Sequence, residues 1–362
     1  MSIAQQKIHD ALCSINSEQF DFKLQEIGGD ICVLVTPENL GVDWCVDTLI
    51  LRSIIYRRSD YKPISVSFDK FFNNTEQPHL YPDPNEFNGH IYEEKLDGAT
   101  LLISKTKGEL IVRTRGTFSA FVHETGDEIK DIFKNNPKIT NNKWVDSENY
   151  TLIFEHITPN NKIVLNYDNP ELLLIAARNH EDLSYLSFDD LNHIAEEIGV
   201  NRPRVYKFDN ISEIVDICQD QKDFEGYVLS YNNNQNRIKF KTLDYLKKHS
   251  FRSNASSKNI LELYSDQNYP NFDDFKNYII NNFDFECWTM VEDLVTQVCV
   301  FKKEVDLDIK DAQKFVDNNS SLTDKEFTLR VLDKDWKSVA FSLRKGKALP
   351  DRLIKNKLKE KL

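Results

Sequence analysis

The chain has 362 residues, and at roughly 100 to 200 residues per domain this length argues for two domains rather than one small module. The composition, 40% apolar and 29% charged, is that of a folded chain, and the net charge of −12 argues against a protein that coats nucleic acid through overall charge alone. The longest apolar run, residues 172–177, is far shorter than the ~20 residues of a membrane-spanning helix. The N-terminus shows no hydrophobic signal core, so we expect a cytoplasmic protein without a membrane contact.

The distribution of glycine predicts where the chain divides. Ten of the eleven glycines lie at or before Gly226, which predicts a turn-rich, strand-containing first part and a helical last part. We place the boundary near residue 250, giving domains 1–250 and 251–362. The second of these carries 19 basic and 19 acidic residues, so all of the net negative charge belongs to the first. The six cysteines form no CxxC pair, which predicts neither a disulfide framework nor a zinc site.

The first part reads as an α+β domain. A short strand, HIYEE, precedes a predicted hairpin that turns at Lys107-Gly108. The further predicted strands are YTLIFEHI, KIVLNY, ELLLIAAR, PRVYKF, GYVLSY and RIKFK. Two helices interrupt them, one from Ser187 to Gly199 with capping residues at both ends and one from about Ser212 to Gln221.

The last part shows helical periodicity. Apolar residues recur at steps of three and four in the segments 271–282, 287–303, 308–318, 323–332 and 349–361. Residues 337–362 hold nine Lys and Arg but only two acidic residues. This end is interpreted either as a basic helix that contacts an RNA backbone or as the solvated face of a packed helix.

The pattern K-x-D-G occurs at Lys95 to Gly98, between the strand HIYEE and the hairpin. Alone it is a weak signal, because it arises by chance in roughly one chain of this length in ten. The order of the elements that follow strengthens it: Glu155 lies on a strand, Glu225 precedes a second strand, and K-x-K closes that strand's hairpin partner.

The two lysines of K-x-K, Lys239 and Lys241, project from one face of their strand because side chains alternate along a strand. The hairpin turns in an Asn-rich tip, residues 232–236, which brings Glu225 close to Lys241. A carboxylate and two ammonium groups then share one sheet surface. Read alone, this is equally compatible with a plain cross-strand ion-pair surface worth a few tenths of a kcal/mol per pair.

Taken together, the ordered set resembles the covalent nucleotidyltransferase superfamily of ligases and capping enzymes, and its details resemble the phage-type RNA ligase 1 family. The resemblance covers about residues 40–250. It rests on LRSIIYR, DKFFN, KLDG, TRG, FEHITPNNKIVLNY, EGYV, K-x-K and the following Tyr245. Motif I departs from the prototype, which has a glutamate before the aspartate and a serine after the glycine, and Arg115 stands where the family often has lysine.

The resemblance implies an antiparallel-sheet adenylyltransferase domain followed by a helical domain that helps to choose the RNA. It implies an ATP-dependent RNA ligase that works through a lysine-AMP and an RNA-adenylate intermediate. Lys95 is then the nucleophile. Because the attacking amine must be neutral, the chemistry requires cations around it, and Lys239, Lys241, Arg115 and a bound metal ion are the candidates.

The same resemblance implies contacts to ATP and to a divalent cation, Mg²⁺ or Mn²⁺. Arg52 and Lys70 would hold the β and γ phosphates, with Arg115, Lys239 and Lys241 as further nucleotide contacts. Glu225 is the first candidate metal ligand. Glu155 would be a second metal contact or would bind the ribose. Gly98 would let the chain approach the nucleotide closely.

The implied partners are RNA with 5′-phosphate and 3′-hydroxyl ends, including a cleaved tRNA, and an end-healing polynucleotide kinase/phosphatase. If the chain is phage-encoded, its compartment is the host cytoplasm. Two alternatives stay open: another nucleotidyltransferase, either a DNA ligase or an mRNA capping guanylyltransferase, and a non-catalytic protein that binds RNA ends. DNA ligases and capping enzymes usually continue into an OB-fold, a small β-barrel, whereas the periodicity after residue 250 predicts helices.

Overall fold

The computed structural model of the protein describes residues 1–38, 41–256, 259–260, 263, 272–282 and 285–346. The chain divides into two compact units, Met1–Leu246 and Lys247–Leu362. Strands and helices build the first unit, and the described part of the second is helical. The predicted α+β class with a helical C-terminal part is therefore confirmed.

The strands all belong to the first unit as far as the structure describes the chain. In order they are β1 (Phe20–Ile27), β2 (Asp30–Pro37), β3 (Ile54–Arg57), β4 (Pro63–Val66), β5 (Phe72–Asn73), β6 (Ile91–Glu94), β7 (Ala99–Thr106), β8 (Glu109–Arg113), β9 (Tyr150–Ile157), β10 (Glu171–Asn179), β11 (Val205–Tyr206), β12 (Gly226–Tyr231) and β13 (Asn236–Lys241). The helices are α1 (Ile3–Cys13), α2 (Gly126–Asn135), α3 (Lys143–Asp146), α4 (Phe188–Ile198), α5 (Ile211–Asp220), α6 (Leu243–Asn254), α7 (Phe272–Asn282), α8 (Phe285–Asn318), α9 (Asp324–Val331) and α10 (Lys337–Arg344).

The strands form three sheets, with the spatial orders β1-β2-β3-β4, β10-β9-β7-β8 and β11-β6-β12-β13-β5. Every neighbouring pair is antiparallel except β13 with β5, which is parallel. Antiparallel neighbours can be joined by tight turns. Two such turns, between β7 and β8 and between β12 and β13, position candidate site residues of this unit. The predicted antiparallel sheet is therefore observed.

Both predicted hairpins form where the turn residues favour them. Lys107 and Gly108 have φ values of 48° and 78°, as a two-residue turn between β7 and β8 requires. At the Asn-rich tip between β12 and β13, Asn232, Asn233 and Asn234 all have positive φ. Asparagine tolerates this left-handed conformation better than most residues, so the sequence fixes the turn and hence the register of the pair.

The largest core of the first unit lies between the β10-β9-β7-β8 sheet and helices α2 and α4. Leu191, Ile194 and Ile198 form the buried stripe of α4. This helix begins after Ser187, whose side chain accepts a hydrogen bond from the Asp190 N–H at 3.1 Å, and it ends at Gly199 with a φ of 70°. The predicted helix between Ser187 and Gly199 is confirmed, and the second predicted helix is α5.

One predicted strand is wrong. The segment KIVLNY, residues 162–167, forms bends and irregular chain instead of a strand. The N–H groups of Val164 and Leu165 donate to Asp97 Oδ2 at 2.7 and 2.8 Å, so a distant carboxylate takes the donors that a neighbouring strand would use. The strand expected within PRVYKF is present only as the two-residue β11.

In the helical part, two predicted helices, 287–303 and 308–318, are one continuous helix, α8. Its sequence between them, EVDL, contains no glycine or proline that would end a helix, and Val305 is fully buried there. Helix α10 was not among the predicted segments, whereas the predicted helix 349–361 and most of the basic end lie outside the described residues.

Beyond Lys241 the described residues contain no strand of an OB-fold. A search of the described residues finds no helix with the length and apolar character needed to cross a bilayer.

Candidate active site

Lys95 follows directly after β6 and is fixed to the neighbouring strand. Its N–H donates to the Gly226 carbonyl at 2.8 Å. Its side chain is 20% exposed, and Nζ lies 2.7 Å from Glu225 Oε1, a carboxylate that is only 2% exposed. Lys241 Nζ lies 3.1 Å from the same oxygen. The predicted proximity of Glu225 to Lys241 is therefore observed, and Lys95 shares the same carboxylate oxygen.

The register of the β12–β13 hairpin produces this arrangement. Gly226 pairs with Lys241, and Val228 pairs with Lys239, so both lysines emerge on one face two residues apart. Gly226 has a φ of 147°, and a Cβ added there would lie 1.9 Å from the Phe240 carbonyl oxygen. Only glycine allows the two strands to approach this closely beside Glu225.

The aspartate of K-x-D-G holds the loops behind the lysine. Asp97 is buried and binds the 164–165 segment through Oδ2, and Tyr245 donates its hydroxyl hydrogen to Asp97 Oδ1 at 2.8 Å. The backbone N–H of Asp97 donates to the Tyr167 hydroxyl oxygen at 2.9 Å. Burial, with the nearby Glu225 and Asp97 carboxylates, raises the pKa of the Tyr245 phenol. These tyrosines serve here as hydrogen-bonding partners of the motif.

Gly98 is required by packing against β9. A Cβ at this position would lie 2.4 Å from the His156 carbonyl oxygen and 3.1 Å from Glu155 Cγ. The close approach that the structure shows is thus to a strand of the protein. The expected approach of Gly98 to a nucleotide stays a prediction.

Lys239 is held by Phe71. Its Nζ donates to the Phe71 carbonyl at 2.9 Å and lies 4.4 Å from the centroid of the Phe71 ring. Burial, followed by the positive charges of Arg52, Lys95, Lys70 and Lys241, lowers the pKa of Lys239 to about 6. This amine is therefore largely uncharged at neutral pH until an anion enters.

Arg52 precedes β3 and Arg115 follows β8, strands of two different sheets, and both arginines line the same cavity. Arg52 lies 5.4 Å from the centroid of the Phe71 ring, and its Nη1 is buried without a hydrogen-bond partner in the described residues. Burial and the charge of Arg115 lower the pKa of Arg52 to about 10. Arg115 is exposed at the end of the T-R-G turn. An unpaired buried guanidinium nitrogen favours the binding of an anion there.

Glu155 and Glu225 are the candidate metal ligands. Burial is the largest influence on Glu155 and, with the negative charge of Glu225, raises its pKa to about 7 against the opposing effect of Lys95. Glu225 Oε2 is buried and accepts no hydrogen bond from the described residues, so it is open to a cation. No group of three or more His, Cys, Asp or Glu in the described chain could hold a metal ion by itself. Mg²⁺ usually needs only one or two carboxylates besides phosphate and water, so this pair fits it.

One cavity of about 260 Å³ is lined by six of these residues, Lys95, Lys239, Lys241, Arg52, Arg115 and Glu155. Glu225 does not line the cavity but binds Lys95 and Lys241 from behind it. We call Lys95, Lys239 and Lys241, together with the Glu225 that binds two of them, the lysine wall, and Arg52, Arg115 and Glu155 the arginine wall. The apolar part of the lining includes Phe71, Leu96, Ile175 and Val228. Such a cavity, apolar in part and rich in cations, can take a flat ring and an attached polyanion.

Lys70, Gly98 and Glu225 are the predicted site residues that do not line this cavity. Lys70 lines an adjoining cavity of about 50 Å³, which shares Phe71 and Arg237 with the first. Its Nζ lies 5.1 Å from the centroid of the Phe72 ring. Burial and the charge of Arg52 lower the pKa of Lys70. Its phosphate contact stays a prediction.

A family model described as "RNA ligase" matches residues 51–252, which is more than half of the chain. The chain belongs to the phage-type RNA ligase 1 family. It is similar to a "Putative RNA ligase" of Thermovibrio ammonificans, with 26% identity over 178 residues that cover 49% of this chain and 46% of that protein. It is also similar to a "Putative bifunctional polynucleotide kinase/RNA ligase" of Autographa californica nuclear polyhedrosis virus, with 29% identity over 57% of this chain and 31% of that protein.

The chain thus spans less than half the length of these curated relatives. Among solved structures, an archaeal ATP-dependent RNA ligase covers 72% of this chain with a TM-score of 0.42 and 15% identity, and the match spans 64% of that ligase. This structural likeness is distant, and the family membership rests on the sequence match.

For this family member, sequence reasoning missed Phe71 and Arg113. Phe71 lines the cavity near Arg52 and Lys239, whereas the neighbouring Phe72 is 2% exposed and stacks on Tyr81 with an interplanar angle of 26°. The two residues are adjacent and identical, so the sequence does not show which ring faces the cavity. That depends on how the short strand β5 pairs with β13.

Proposed function

We propose that this protein is an ATP-dependent RNA ligase whose first unit is an adenylyltransferase domain. The observation that carries the proposal is the position of Lys95. Its ammonium lies in a cavity lined by Arg52, Arg115, Lys239 and Lys241, within 2.7 Å of a buried glutamate. Such a cluster is more than a surface ion-pair patch, because Arg52 has a buried nitrogen without a hydrogen-bond partner among the residues that the structure describes.

In the first step the Lys95 amine attacks the α-phosphorus of ATP. The new bond joins Nζ to phosphorus, and the bond from that phosphorus to the β-phosphate oxygen breaks, so pyrophosphate leaves. Attack requires the neutral amine, so the Lys95 ammonium must first give up a proton, and Glu225 Oε1, 2.7 Å from Nζ, is the acceptor in contact with it. The cations of both walls offset the charge that builds on the phosphate oxygens, which is the main contribution expected in phosphoryl transfer.

In the second step the 5′-phosphate of an RNA displaces Lys95 from the adenylate, and in the third a 3′-hydroxyl displaces AMP to form the phosphodiester. Glu225 and Glu155 would hold a divalent cation, which neutralises phosphate charge when bound. Arg52 would bind the leaving pyrophosphate, and Lys70 would extend that contact through the adjoining cavity.

The decisive experiment is transfer of label from α-labelled ATP with Mg²⁺ to the protein, followed after denaturation on a gel. We expect label on the wild type and none on Lys95→Ala. Lys105→Ala is the matched control. Lys105 is also a strand lysine in an ion pair, with its Nζ 2.8 Å from Asp146 Oδ1, but it does not line the cavity. Absence of label from the wild type, or equal label on Lys95→Ala, would contradict the proposal.

The substrate class requires a second experiment. Joining of single-stranded RNA that carries a 5′-phosphate is compared with sealing of nicked DNA, and ATP is compared with GTP. We expect ATP-dependent joining of RNA. Preferred sealing of DNA would favour a DNA ligase, transfer from GTP would favour a capping enzyme, and RNA binding without product in any assay would favour a binding protein.

The biological task that we propose is the repair of broken RNA, including tRNA cleaved in its anticodon loop, with residues 251–362 selecting the RNA. A relative named as both polynucleotide kinase and RNA ligase supports a partner that heals the ends first. The basic character of residues 337–362 supports an RNA contact there. Sealing of tRNA halves only after treatment with a kinase/phosphatase, and faster than sealing of generic oligoribonucleotides, would support both points.

A further inference from the structure

Arg113, the last residue of β8, is a fully buried cation with no acidic partner among the described residues. Its side chain is 0% exposed. Nε donates to Ser65 Oγ at 2.8 Å, Nη1 donates to Ser53 Oγ at 2.7 Å, and Nη2 donates to the Ser65 carbonyl at 3.0 Å. The remaining hydrogen bonds go to the carbonyl oxygens of Ser53, Thr114 and Arg115.

This arrangement is costly, because a buried charge without a counter-charge loses its hydration. Burial lowers the pKa of Arg113 to about 9. A neutral side chain would fill the same space at lower cost. The guanidinium has one property that such a side chain lacks, which is a rigid fork of five N–H groups that can join several chain segments at fixed angles.

The segments that it joins carry the two arginines of the arginine wall. Arg52 directly precedes Ser53, and Arg115 lies two residues beyond Arg113. Ser53 Oγ accepts from Arg113 and donates to the Arg115 carbonyl oxygen at 2.7 Å, so one hydroxyl connects both segments. Ser65, on β4, completes the set from the other side. The hydrogen bonds thus join Ser53, the residue after Arg52, to Arg113 and to the Arg115 backbone.

We propose that Arg113, acting through Ser53, is a positioning residue that sets the distance between the Arg52 and Arg115 guanidinium groups and so adapts the arginine wall to the triphosphate of the nucleotide. This inference rests on the proposed function and deepens it. Arg113 contacts neither the cavity nor a ligand. Neither Arg52 nor Arg115 forms an ion pair in the described residues, so both guanidinium groups are available to the triphosphate. Arg113, which positions them, should therefore affect the affinity for ATP.

The test compares Ser53→Ala with Ser65→Ala in the full chain. Both hydroxyls are fully buried and each accepts one hydrogen bond from Arg113, but only the Ser53 hydroxyl also binds the Arg115 backbone. Initial rates of lysine-AMP formation are measured against ATP concentration, together with Tm. We expect Ser53→Ala to raise KM for ATP about tenfold and Ser65→Ala less than about threefold, at similar losses of Tm, because small displacements of binding groups are costly.

A double-mutant cycle adds a readout that a purely structural role would not change. In an Arg52→Ala background the Ser53→Ala effect on KM shrinks, because one of the two groups being positioned is already gone. If Ser53→Ala does not fold, Arg113→Lys carries the same test, since one ammonium cannot replace the fork. Equal KM changes for the two serine variants, or fully additive effects with Arg52→Ala, would overturn the inference. A wild type without lysine-AMP would instead overturn the proposed function.

Discussion

On the lysine wall, Lys95 and Lys241 share one oxygen of Glu225, whereas on the arginine wall neither Arg52 nor Arg115 forms an ion pair with a carboxylate in the described residues. In the first wall two of the three lysines form an ion pair before any ligand binds, and the third contacts Phe71. In the second wall both guanidinium groups are without an ion pair in the described residues. Under the proposed function, the lysine wall would present the nucleophile and the arginine wall would supply affinity for an anion.

The largest expected effect comes from breaking the lysine wall at its shared carboxylate. Glu225→Ala leaves Lys95 and Lys241 facing each other without a counter-charge, and we expect the rate of lysine-AMP formation to fall at least about 100-fold. Labelling with α-labelled ATP measures it. Glu197→Ala is the control, because Glu197 also contacts two basic groups, Lys143 and His193, on the surface. A loss of less than tenfold in Glu225→Ala would remove the distinction between the walls.

The arginine wall should respond in affinity. We expect Arg52→Ala to raise KM for ATP about 30-fold with a smaller change in kcat, because a desolvated guanidinium binding a phosphate contributes roughly 2 kcal/mol. The stability of the free protein should not fall, since the buried charge of Arg52 has no partner to lose. Steady-state labelling and thermal unfolding measure these effects, with Arg58→Ala, an exposed arginine, as control. An unchanged KM would show that this wall does not bind the nucleotide.

Lys239 gives a prediction about pH. Its pKa is about 6 in the folded protein against 10.5 as the ordinary value, so the unfolded chain binds more protons between these limits. Stability should therefore rise with pH from about 6 to about 10, by up to ~1.4 kcal/mol per pH unit from this group. The charges that face the amine are Arg52, Lys95, Lys70 and Lys241. Denaturant unfolding at pH 7 and pH 9 should show the rise in wild type and a smaller one in Lys239→Met. An equal rise in the free energy of unfolding between pH 7 and pH 9 in the two proteins would indicate that Lys239 stays charged.

The smallest expected effect concerns the support behind the lysine wall. Tyr245→Phe removes the hydrogen bond to Asp97 but keeps the ring beside Lys241, whose Nζ lies 4.8 Å from its centroid. We expect a loss of about 1 kcal/mol in the free energy of unfolding and at most a few-fold loss of labelling, the usual effect of one such bond. Tyr167→Phe is the parallel variant, because Tyr167 binds the Asp97 backbone. A loss comparable with that of Glu225→Ala would place Tyr245 among the reacting groups.

Much of the lysine wall could be predicted from the sequence because its determinants are local. Alternation along a strand puts Lys239 and Lys241 on one face, and an Asn-rich tip sets the register that brings Glu225 to Lys241. The capping residues Ser187 and Gly199 likewise define a helix from within their own segment. These features need no knowledge of distant residues.

The rest depends on contacts between residues far apart in sequence. Residues 162–167 have the composition of a strand, but Asp97, some 67 positions earlier, takes the backbone donors of Val164 and Leu165. Arg113 looks like an ordinary strand-end arginine until Ser53, the residue before β3, and Ser65, on β4, are placed beside it. Burial of this kind is a property of the assembled sheets and leaves no pattern in the residues nearby.

The phenyl ring of Phe71 lies within 5.4 Å of the Arg52 guanidinium carbon and 4.4 Å of Lys239 Nζ. One uncharged side chain therefore touches a cation from each side of the cleft. Changing the size of this ring would shift Arg52 and Lys239 together. Substitution of Phe71 is therefore a way to alter nucleotide affinity without removing a basic side chain.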